Sequence, residues 1–366
     1  MNPSPAKKPF VAIACGGTGG HLFPGLAIAG ELQQRGCEVA LLISSKDIDQ
    51  QAVKTATGVK IYTLPAVGLQ NKNYLPFAAS FGKSLFTAWR IFHRRHPDAV
   101  LAMGGFTSAP PVLAAKDSAA KTFLHESNTI PGKANRFLSR FVDAAFIGFP
   151  EAATRLKTKN TINTGTPVRP QFFQSAIGNR QSAFALGLDP NLPIVLVVGG
   201  SQGAHGLNEM ILAALPLLKN RNWQWLHLTG AKDFEIVKAA YAANGIKAVV
   251  KPFLAEMDLA LGAATAAVSR AGASSLAEMA AMRLPSLLVP LPTSADNHQL
   301  FNAQAFEKTG AAKLLEQKKT TPEQTAALLA ELVTDETVRQ KIQTALTRWH
   351  APDAAAQIAE HILRAL

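Results

Sequence analysis

Two stretches of this 366-residue chain share one local pattern, in which a short apolar run breaks off into a glycine-rich corner and a helix pattern begins. The first is Phe10–Cys15 followed by Gly16-Gly17-Thr18-Gly19-Gly20-His21. The second is Ile194–Val198 followed by Gly199-Gly200-Ser201-Gln202-Gly203-Ala204. Such corners are where a parallel α/β sheet hands over to its crossover helix, and glycine there tolerates positive φ and close approach of a ligand. The helix start behind each corner supplies unpaired N–H groups and a partial positive charge, which suits an anion. A third corner, Ser269-Arg270-Ala271-Gly272-Ala273-Ser274-Ser275, has the same character.

The rest of the chain alternates in the same way. In the first half, Phe10–Cys15, Val39–Ser44, Lys60–Leu64, Ala99–Met103, Lys121–His125 and Ala144–Ile147 read as strands, with His21–Arg35, Leu75–His96 and Gly132–Phe141 as helices. In the second half, the strands are Ile194–Val198, Gln224–Leu228, Ala248–Lys251, Ala266–Ser269 and Ser286–Val289. The helices there are Leu207–Leu218, Phe234–Asn244, Ser274–Ala281 and Gln299–Thr309. Alternation of this kind predicts βαβ units, here two doubly wound parallel-sheet domains, with residues 1–167 and 168–352 as their spans. Gly165-Thr166-Pro167-Val168-Arg169-Pro170 is the expected connection, because its prolines and glycine block regular structure. Residues 353–366 read as a final amphipathic helix on either domain. Open α/β sheets bind ligands beyond their C-terminal strand ends, so two facing domains predict a central cleft.

Composition excludes several classes. Hydrophobic residues make up 48 % and charged residues 17 %, enough apolar mass for two cores. Only Cys15 and Cys37 occur, both in apolar settings, which does not make a disulfide scaffold. No window approaches ~18 uninterrupted apolar residues, and the polar segment Met1–Phe10 has no apolar signal region. Residues 1–170 hold 20 Lys and Arg against 9 Asp and Glu, whereas residues 171–366 hold 17 against 16. Nearly all of the +12 net charge therefore lies in the first half, which points to an anionic partner there: a nucleic acid, an anionic membrane or a pyrophosphate.

The corners are not those of a dinucleotide fold. The spacing is not Gly-x-Gly-x-x-Gly, and Leu42-Ile43-Ser44-Ser45 ends the second strand without an acid for a ribose. No Gly-Lys-Ser/Thr follows either, so neither is a P-loop. Asp47-Ile48-Asp49 matches the Asp-x-Asp of metal-dependent transferases but falls in a polar stretch, where solvated or helix-capping acids are expected.

Read together and in order, Gly16-Gly-Thr-Gly-Gly-His21-x-x-Pro24-Gly25-Leu26-Ala27, His125-Glu126-x-Asn128, Gly199-Gly-Ser-Gln-Gly-Ala204 and Arg270-x-Gly272-Ala273-x-Ser275-x-x-Glu278 resemble the MurG family, from about Phe10 to Ala312. These are bacterial UDP-N-acetylglucosamine:lipid I N-acetylglucosaminyltransferases. The resemblance implies the GT-B fold: two Rossmann-like doubly wound parallel-sheet domains with the active site in the cleft. It implies UDP-N-acetylglucosamine on the C-terminal domain, lipid I on the N-terminal domain, and lipid II as product at the inner face of the cytoplasmic membrane. It implies no cofactor and no bound metal, and a complex of cell-wall synthesis enzymes as partners.

Carried over residue by residue, the resemblance gives Ser201 and Gly272, Ala273, Ser274, Ser275, Leu276 and Ala277 contacts with the diphosphate and nucleoside. Glu278 takes the ribose and Leu254 offers backbone groups to uracil. Thr18, Gly19, Gly20, Asn128 and Arg169 also meet the donor, and His298 and Gln299 hold the sugar hydroxyls. Phe106 stands where relatives carry Tyr.

The reaction needs a base for the acceptor hydroxyl and stabilisation of the leaving diphosphate. His21, at a helix start beside a glycine corner, is the first candidate base and Glu126 the alternative. For the membrane, the segment Leu75–His96 mixes Phe77, Phe81, Leu85, Phe86, Trp89, Ile91 and Phe92 with Lys83, Arg90, Arg94 and Arg95. A second patch combines Ile130-Pro131, Phe137, Leu138 and Phe141 with Lys133, Arg136 and Arg140. Aromatic and basic residues together suit an anionic lipid surface. Rival readings are another UDP-sugar enzyme, such as a transferase to diacylglycerol or a sugar epimerase, and a nucleic-acid binder. The last finds no binding module and no basic stripe alternating with stacking aromatics.

Overall fold

The computed structural model describes residues 8–46, 49–50, 53, 57–68, 74–174, 180–200 and 203–366. They form two compact units. The first is Met1–Arg169 together with Ala351–Leu366, and the second is Pro170–His350.

The first unit is built on a seven-stranded sheet: β1 (Phe10–Ala14), β2 (Glu38–Ser44), β3 (Lys60–Leu64), β4 (Ala99–Ala102), β5 (Lys121–Glu126), β6 (Ala144–Ile147) and β7 (Thr161–Asn163). Their order is β3-β2-β1-β4-β5-β6-β7 and every pairing is parallel. The helices are α1 (Gly19–Gln34), α2 (Tyr74–Arg94), α3 (Ala109–Ala115) and α4 (Lys133–Leu138). Successive residues of β1 face opposite ways. Val11, Ile13 and Cys15 enter one apolar cluster with α1, while Ala12 and Ala14 enter the cluster on the other face.

The second unit has six parallel strands: β8 (Ile194–Val198), β9 (Gln224–Leu228), β10 (Ala248–Lys251), β11 (Ala266–Ser269), β12 (Ser286–Leu288) and β13 (Lys313–Leu314). Their order is β10-β9-β8-β11-β12-β13. Among the described residues its α-helices of seven residues or more are α5 (His205–Leu218), α6 (Phe234–Ala243), α7 (Met257–Ala263), α8 (Ala273–Met282), α9 (His298–Lys308), α10 (Pro322–Thr334) and α11 (Glu336–Leu346). The apolar run of β8 is buried throughout, as is β9 with its polar Gln224 and His227, as a sheet covered on both faces requires.

The last helix, α12 (Ala354–Arg364), belongs to the first unit. Its Ile358, Ala359 and Ile362 are fully buried in the cluster that holds α1. Each of the two isoleucines contributes about 1.5–3 kcal/mol by leaving water.

In both sheets the order reverses at the strand that runs into the glycine corner. β1 lies between β2 and β4, and β8 lies between β9 and β11. That reversal is the topological switch point where doubly wound sheets take their ligands. The loops there are the glycine corner after β1 with Gly104-Gly105-Phe106 after β4, and the corner after β8 with Arg270-Ala271-Gly272 after β11. Strands β7 and β13, and helices α3 and α7, were not expected from the sequence. They are two to seven residues long, too short for a periodic signal.

Candidate active site

In the first unit the corner opens at Gly16, where an added Cβ would lie 2.3 Å from the Ser44 amide nitrogen. Gly17 follows at φ +110°, with its Cα against the Phe106 ring. Thr18 is extended and caps α1. Its backbone carbonyl accepts the N–H groups of His21 and Leu22 at 3.1 Å, and its hydroxyl lies 3.1 Å from His21 Nδ1. Thr18 and Gly20 are exposed, and Gly19 and His21 half-buried.

The imidazole of His21 lies against the other loop of the switch point. A Cβ on Gly104 would come within 3.0 Å of its Nε2, and one on Gly105 within 3.1 Å of its Nδ1. Both glycines have positive φ, +107° and +75°, a conformation and a space that a side chain would deny. The guanidinium of Arg169 sits 4.3 Å over the Phe23 ring. A Cβ on Gly19 would meet that same ring at 3.0 Å, so Arg169 stands beside the start of α1.

Glu126 ends β5 and is 3 % exposed. Its Oε1 accepts the Asn128 amide N–H at 2.8 Å and Asn128 Nδ2 at 3.0 Å, and its Oε2 accepts the Gly132 N–H and Asn135 Nδ2, both at 2.9 Å. Four donors on two oxygens make it the organiser of the loop that presents Asn128. A carboxylate so occupied is poorly suited to the proton transfer expected of it as the alternative base. His125 is fully buried, with its Nε2 3.1 Å from the Gly165 carbonyl. Burial lowers its pKa to about 4, the Gly165 contact opposing and His21 adding to the effect. It is therefore neutral near neutral pH.

Three sequence readings change. Asp49 is fully buried rather than solvated: Gly17 N–H and the Ser44 hydroxyl donate to its Oδ2 at 2.6 and 2.5 Å. Asp47 lies outside the described residues. Ile130, Pro131 and Leu138 are buried and Phe92 is 2 % exposed, so these belong to the core and not to a lipid-facing patch. What remains at the surface is Phe137 and Phe141, with ring centroids 5.2 Å apart, beside exposed Lys133 and Arg140 and half-buried Arg136. On α2 the exposed residues Leu75, Phe86 and Trp89 are accompanied by Lys83, Arg90 and Arg94. No helix among the described residues is long and apolar enough to cross a membrane.

In the second unit Ser201 and Gln202 lie outside the described residues. Gly203, at φ +74°, packs so closely on the next loop that a Cβ would fall 2.3 Å from the Thr229 carbonyl oxygen. A polar chain lies behind it. Tyr241 Oη and Asn208 Oδ1 flank the buried His227 at 3.1 and 3.0 Å. Asn208 Nδ2 donates to the Thr229 carbonyl at 3.0 Å and to Asp233 at 2.7 Å. His205, exposed at the start of α5, lies 3.1 Å from Asp233 and 3.2 Å from Glu209. The hydrogen bond to Asp233 and then its charge raise the His205 pKa, whereas burial lowers that of His227 to about 3.

The loop after β11 leads into α8 with Gly272 as its extended N-cap. Ala273 and Leu276 are buried, while Ser274, Ser275, Ala277 and Glu278 are half-buried along the first turns. Arg270 holds neighbouring strand ends together, donating to the Val289 and Pro290 carbonyls at 3.0 and 3.2 Å and to Gln317 Oε1 at 2.8 Å. This bridging role was not anticipated, although Arg270 stood in the third motif. Leu254 is buried just after β10. His298 lies 2.8 Å from the Ala295 carbonyl, and Gln299 Oε1 accepts the Leu291 N–H at 3.0 Å.

Two Rossmann-like units, each with a glycine-lined switch point, define a glycosyltransferase of the GT-B fold. The glycosyltransferase family 28 N-terminal domain matches residues 11–147 and its C-terminal domain matches residues 194–358. The chain belongs to the MurG family, whose members are named UDP-N-acetylglucosamine--N-acetylmuramyl-(pentapeptide) pyrophosphoryl-undecaprenol N-acetylglucosamine transferase. It is 36 % identical over 355 residues to the protein of that name from Anaeromyxobacter sp. strain Fw109-5, covering 95 % of this chain and 91 % of that one. With the Listeria monocytogenes serotype 4a protein it shares 34 % over 364 residues, covering 96 % and 98 %. The crystal structure of Acinetobacter baumannii MurG superposes with a TM-score of 0.75 at 28 % identity, covering 98 % of this chain and 100 % of that one. A putative UDP-N-acetylglucosamine 2-epimerase from Listeria monocytogenes reaches 0.70 at 14 % identity, covering 98 % and 96 %, which is a likeness of fold alone.

Proposed function

We infer that this protein transfers N-acetylglucosamine from UDP-N-acetylglucosamine to the 4-hydroxyl of the N-acetylmuramyl sugar in lipid I, giving lipid II. The family membership over nearly the whole chain carries this reading. The epimerase and diacylglycerol alternatives have only the shared fold behind them.

The acceptor hydroxyl attacks the anomeric carbon from the face opposite the UDP, which inverts the sugar from α to β. His21 takes the hydroxyl proton. Its support is geometric: a half-buried imidazole at a helix start, held edge and face by Thr18, Gly104 and Gly105. We assign the proton to Nδ1, with Thr18 Oγ1 accepting, so that Nε2 is the basic atom. Glu126 acts by holding Asn128 at the donor rather than by moving a proton. The leaving diphosphate is met by the N-terminus of α8, where Gly272–Ser275 present small residues and backbone N–H groups, and Ser201 is assigned to it by family resemblance. Glu278, two turns into α8, accepts the ribose hydroxyls. Leu254 serves the uracil, and Arg169 and Thr18–Gly20 the remaining donor contacts. His298 and Gln299 serve the sugar, with Phe106 on the acceptor side.

Membrane attachment is peripheral, at the inner face of the cytoplasmic membrane. It uses Phe137 and Phe141 with Lys133, Arg136 and Arg140, and the exposed aromatic and basic residues of α2. The test is a radiolabel assay offering UDP-N-acetylglucosamine, UDP-N-acetylgalactosamine and UDP-glucose in turn with a short-chain lipid I analogue. Transfer from the first alone is the expected result. Transfer from none, or equally from all three, overturns the assignment.

A further inference from the structure

The Asp-x-Asp element is left without a function in the scheme above, yet Asp49 is one of the most deeply buried acids in the chain. Its Oδ2 accepts three hydrogen bonds: from the Gly17 N–H at 2.6 Å, the Ser44 hydroxyl at 2.5 Å and the Ser44 N–H at 3.1 Å. Two further side chains complete the hold on the corner. Lys46 Nζ donates to the Gly17 carbonyl at 3.0 Å, and the Thr107 hydroxyl donates to the Gly16 carbonyl at 2.7 Å. From the Gly16 oxygen to the Gly17 oxygen, every polar backbone group is gripped by a side chain from elsewhere in the fold. Burying an acid is costly unless it is repaid by directed bonds, and here Oδ2 ties the Gly17 N–H of the glycine corner to Ser44 at the end of β2. Lys46 also lies 5.1 Å over the Phe106 ring, which itself packs on Gly17.

What lies one residue on gives the grip its consequence. Gly17 holds φ +110°, Thr18 leaves it in an extended conformation, and the Thr18 hydroxyl meets His21 Nδ1. The direction of the Thr18 side chain, and with it the ring orientation of His21 in the Gly104-Gly105 slot, follows from the two peptides that meet at Gly17, one held by Asp49 through the Gly17 N–H and the other by Lys46 through the Gly17 carbonyl. We propose that Asp49, assisted by Lys46, is a positioning residue for the transfer reaction: it clamps the Gly17 peptide so that Thr18 presents His21 to the acceptor hydroxyl. The proposal rests on the reading of His21 as the base and adds the group that aims it. A charge-assisted bond from a backbone N–H to a buried carboxylate is among the stronger and better directed hydrogen bonds. Aim matters because a displacement of about 1 Å at a reacting group costs on the order of 100-fold in rate.

The experiment compares Asp49→Asn, Lys46→Met, His21→Ala and the Asp49→Asn/His21→Ala double variant. Each is assayed for transfer to the lipid I analogue, with thermal melting as the check on folding. Asp49→Asn should lower kcat at least ~10-fold while KM for UDP-N-acetylglucosamine stays within about threefold, since the clamp acts on aim and not on donor affinity. In the His21→Ala background the same change should cost less than about twofold, because the two residues act as one unit. Wild-type kcat in Asp49→Asn, or an undiminished further loss in the double variant, overturns the clamp and leaves the His21 assignment standing. Near-normal turnover in His21→Ala overturns that assignment and the clamp with it. If Asp49→Asn melts below the assay temperature, the exposed Lys46→Met decides by the same readouts. A kcat loss with KM unchanged supports the clamp, and full kcat overturns it.

Discussion

The two glycine corners share one design, a buried strand running into a helix at a switch point, yet the fold holds them differently. In the first, Asp49, Lys46 and Thr107 grip the corner from outside, and the helix beyond it presents a half-buried imidazole between two glycines. In the second, Gly203 rests on the Thr229–Gly230 backbone, and the polar chain from Tyr241 through His227 and Asn208 to Asp233 stands behind it. Its neighbour after β11 offers small residues and helix N–H groups. One backbone solution thus serves two tasks. In the proposed function the tightly slotted ring of the first corner takes the proton, and the bare helix start of α8 takes the anion. The one-sided charge follows the same division, with the excess of cations in the half proposed to meet the lipid acceptor.

Changes that separate these tasks should have separable effects. The largest is expected at Gly105→Val, which adds a Cβ about 3 Å from the His21 ring at a φ of +75°. Turnover should fall by more than ~100-fold with UDP binding kept. A loss of UDP affinity instead would deny the division of labour. Next is Glu278→Gln on α8, which should weaken UDP by about tenfold or more, the worth of a hydrogen bond to a charged group. Calorimetry reads it directly, and an unchanged Kd would remove Glu278 from the ribose.

The comparison is sharpened by acid. His125 in the first unit and His227 in the second have folded pKa values lowered to about 4 and about 3 by burial. An unfolded histidine titrates near 6.5, so below that pH the unfolded chain binds more protons than the folded one and stability falls. Each should cost its unit about 2 kcal/mol at pH 5 relative to pH 7.5. Thermal melts should therefore show loss on acidification, reduced in His227→Gln. A melting temperature flat between pH 7.5 and pH 5 would contradict it. The smallest effect is expected at the lipid surface. Arg140→Gln should weaken binding to vesicles containing anionic lipid about fivefold, at about 1 kcal/mol per cation, and leave transfer to a soluble acceptor unchanged. Equal binding would exclude this patch.

The sequence made the strands and corners visible because buried parallel strands are continuous apolar runs and glycines mark where they end. It made His21 visible by its place just beyond such a corner. It did not reveal what holds the corner. Asp49 is far from Gly17 in sequence, and a buried acid in a polar stretch looks the same as a solvated one. Glu126 stood out as an acid beyond a strand end. Only the four donors around it, two of them from Gly132 and Asn135, show that its oxygens are occupied. The lipid-facing readings failed at Ile130, Pro131, Leu138 and Phe92, because aromatic and basic residues on a short segment do not reveal which of them point inward.

The central claim is that proton transfer belongs to the first corner and the hold on UDP to the second unit. The most direct measurement is UDP affinity and lipid I turnover in His21→Ala, side by side. The account predicts turnover down at least ~100-fold with UDP affinity within about threefold of wild type, the signature of a lost general base. Turnover near wild type, or UDP affinity lost along with it, would contradict the claim.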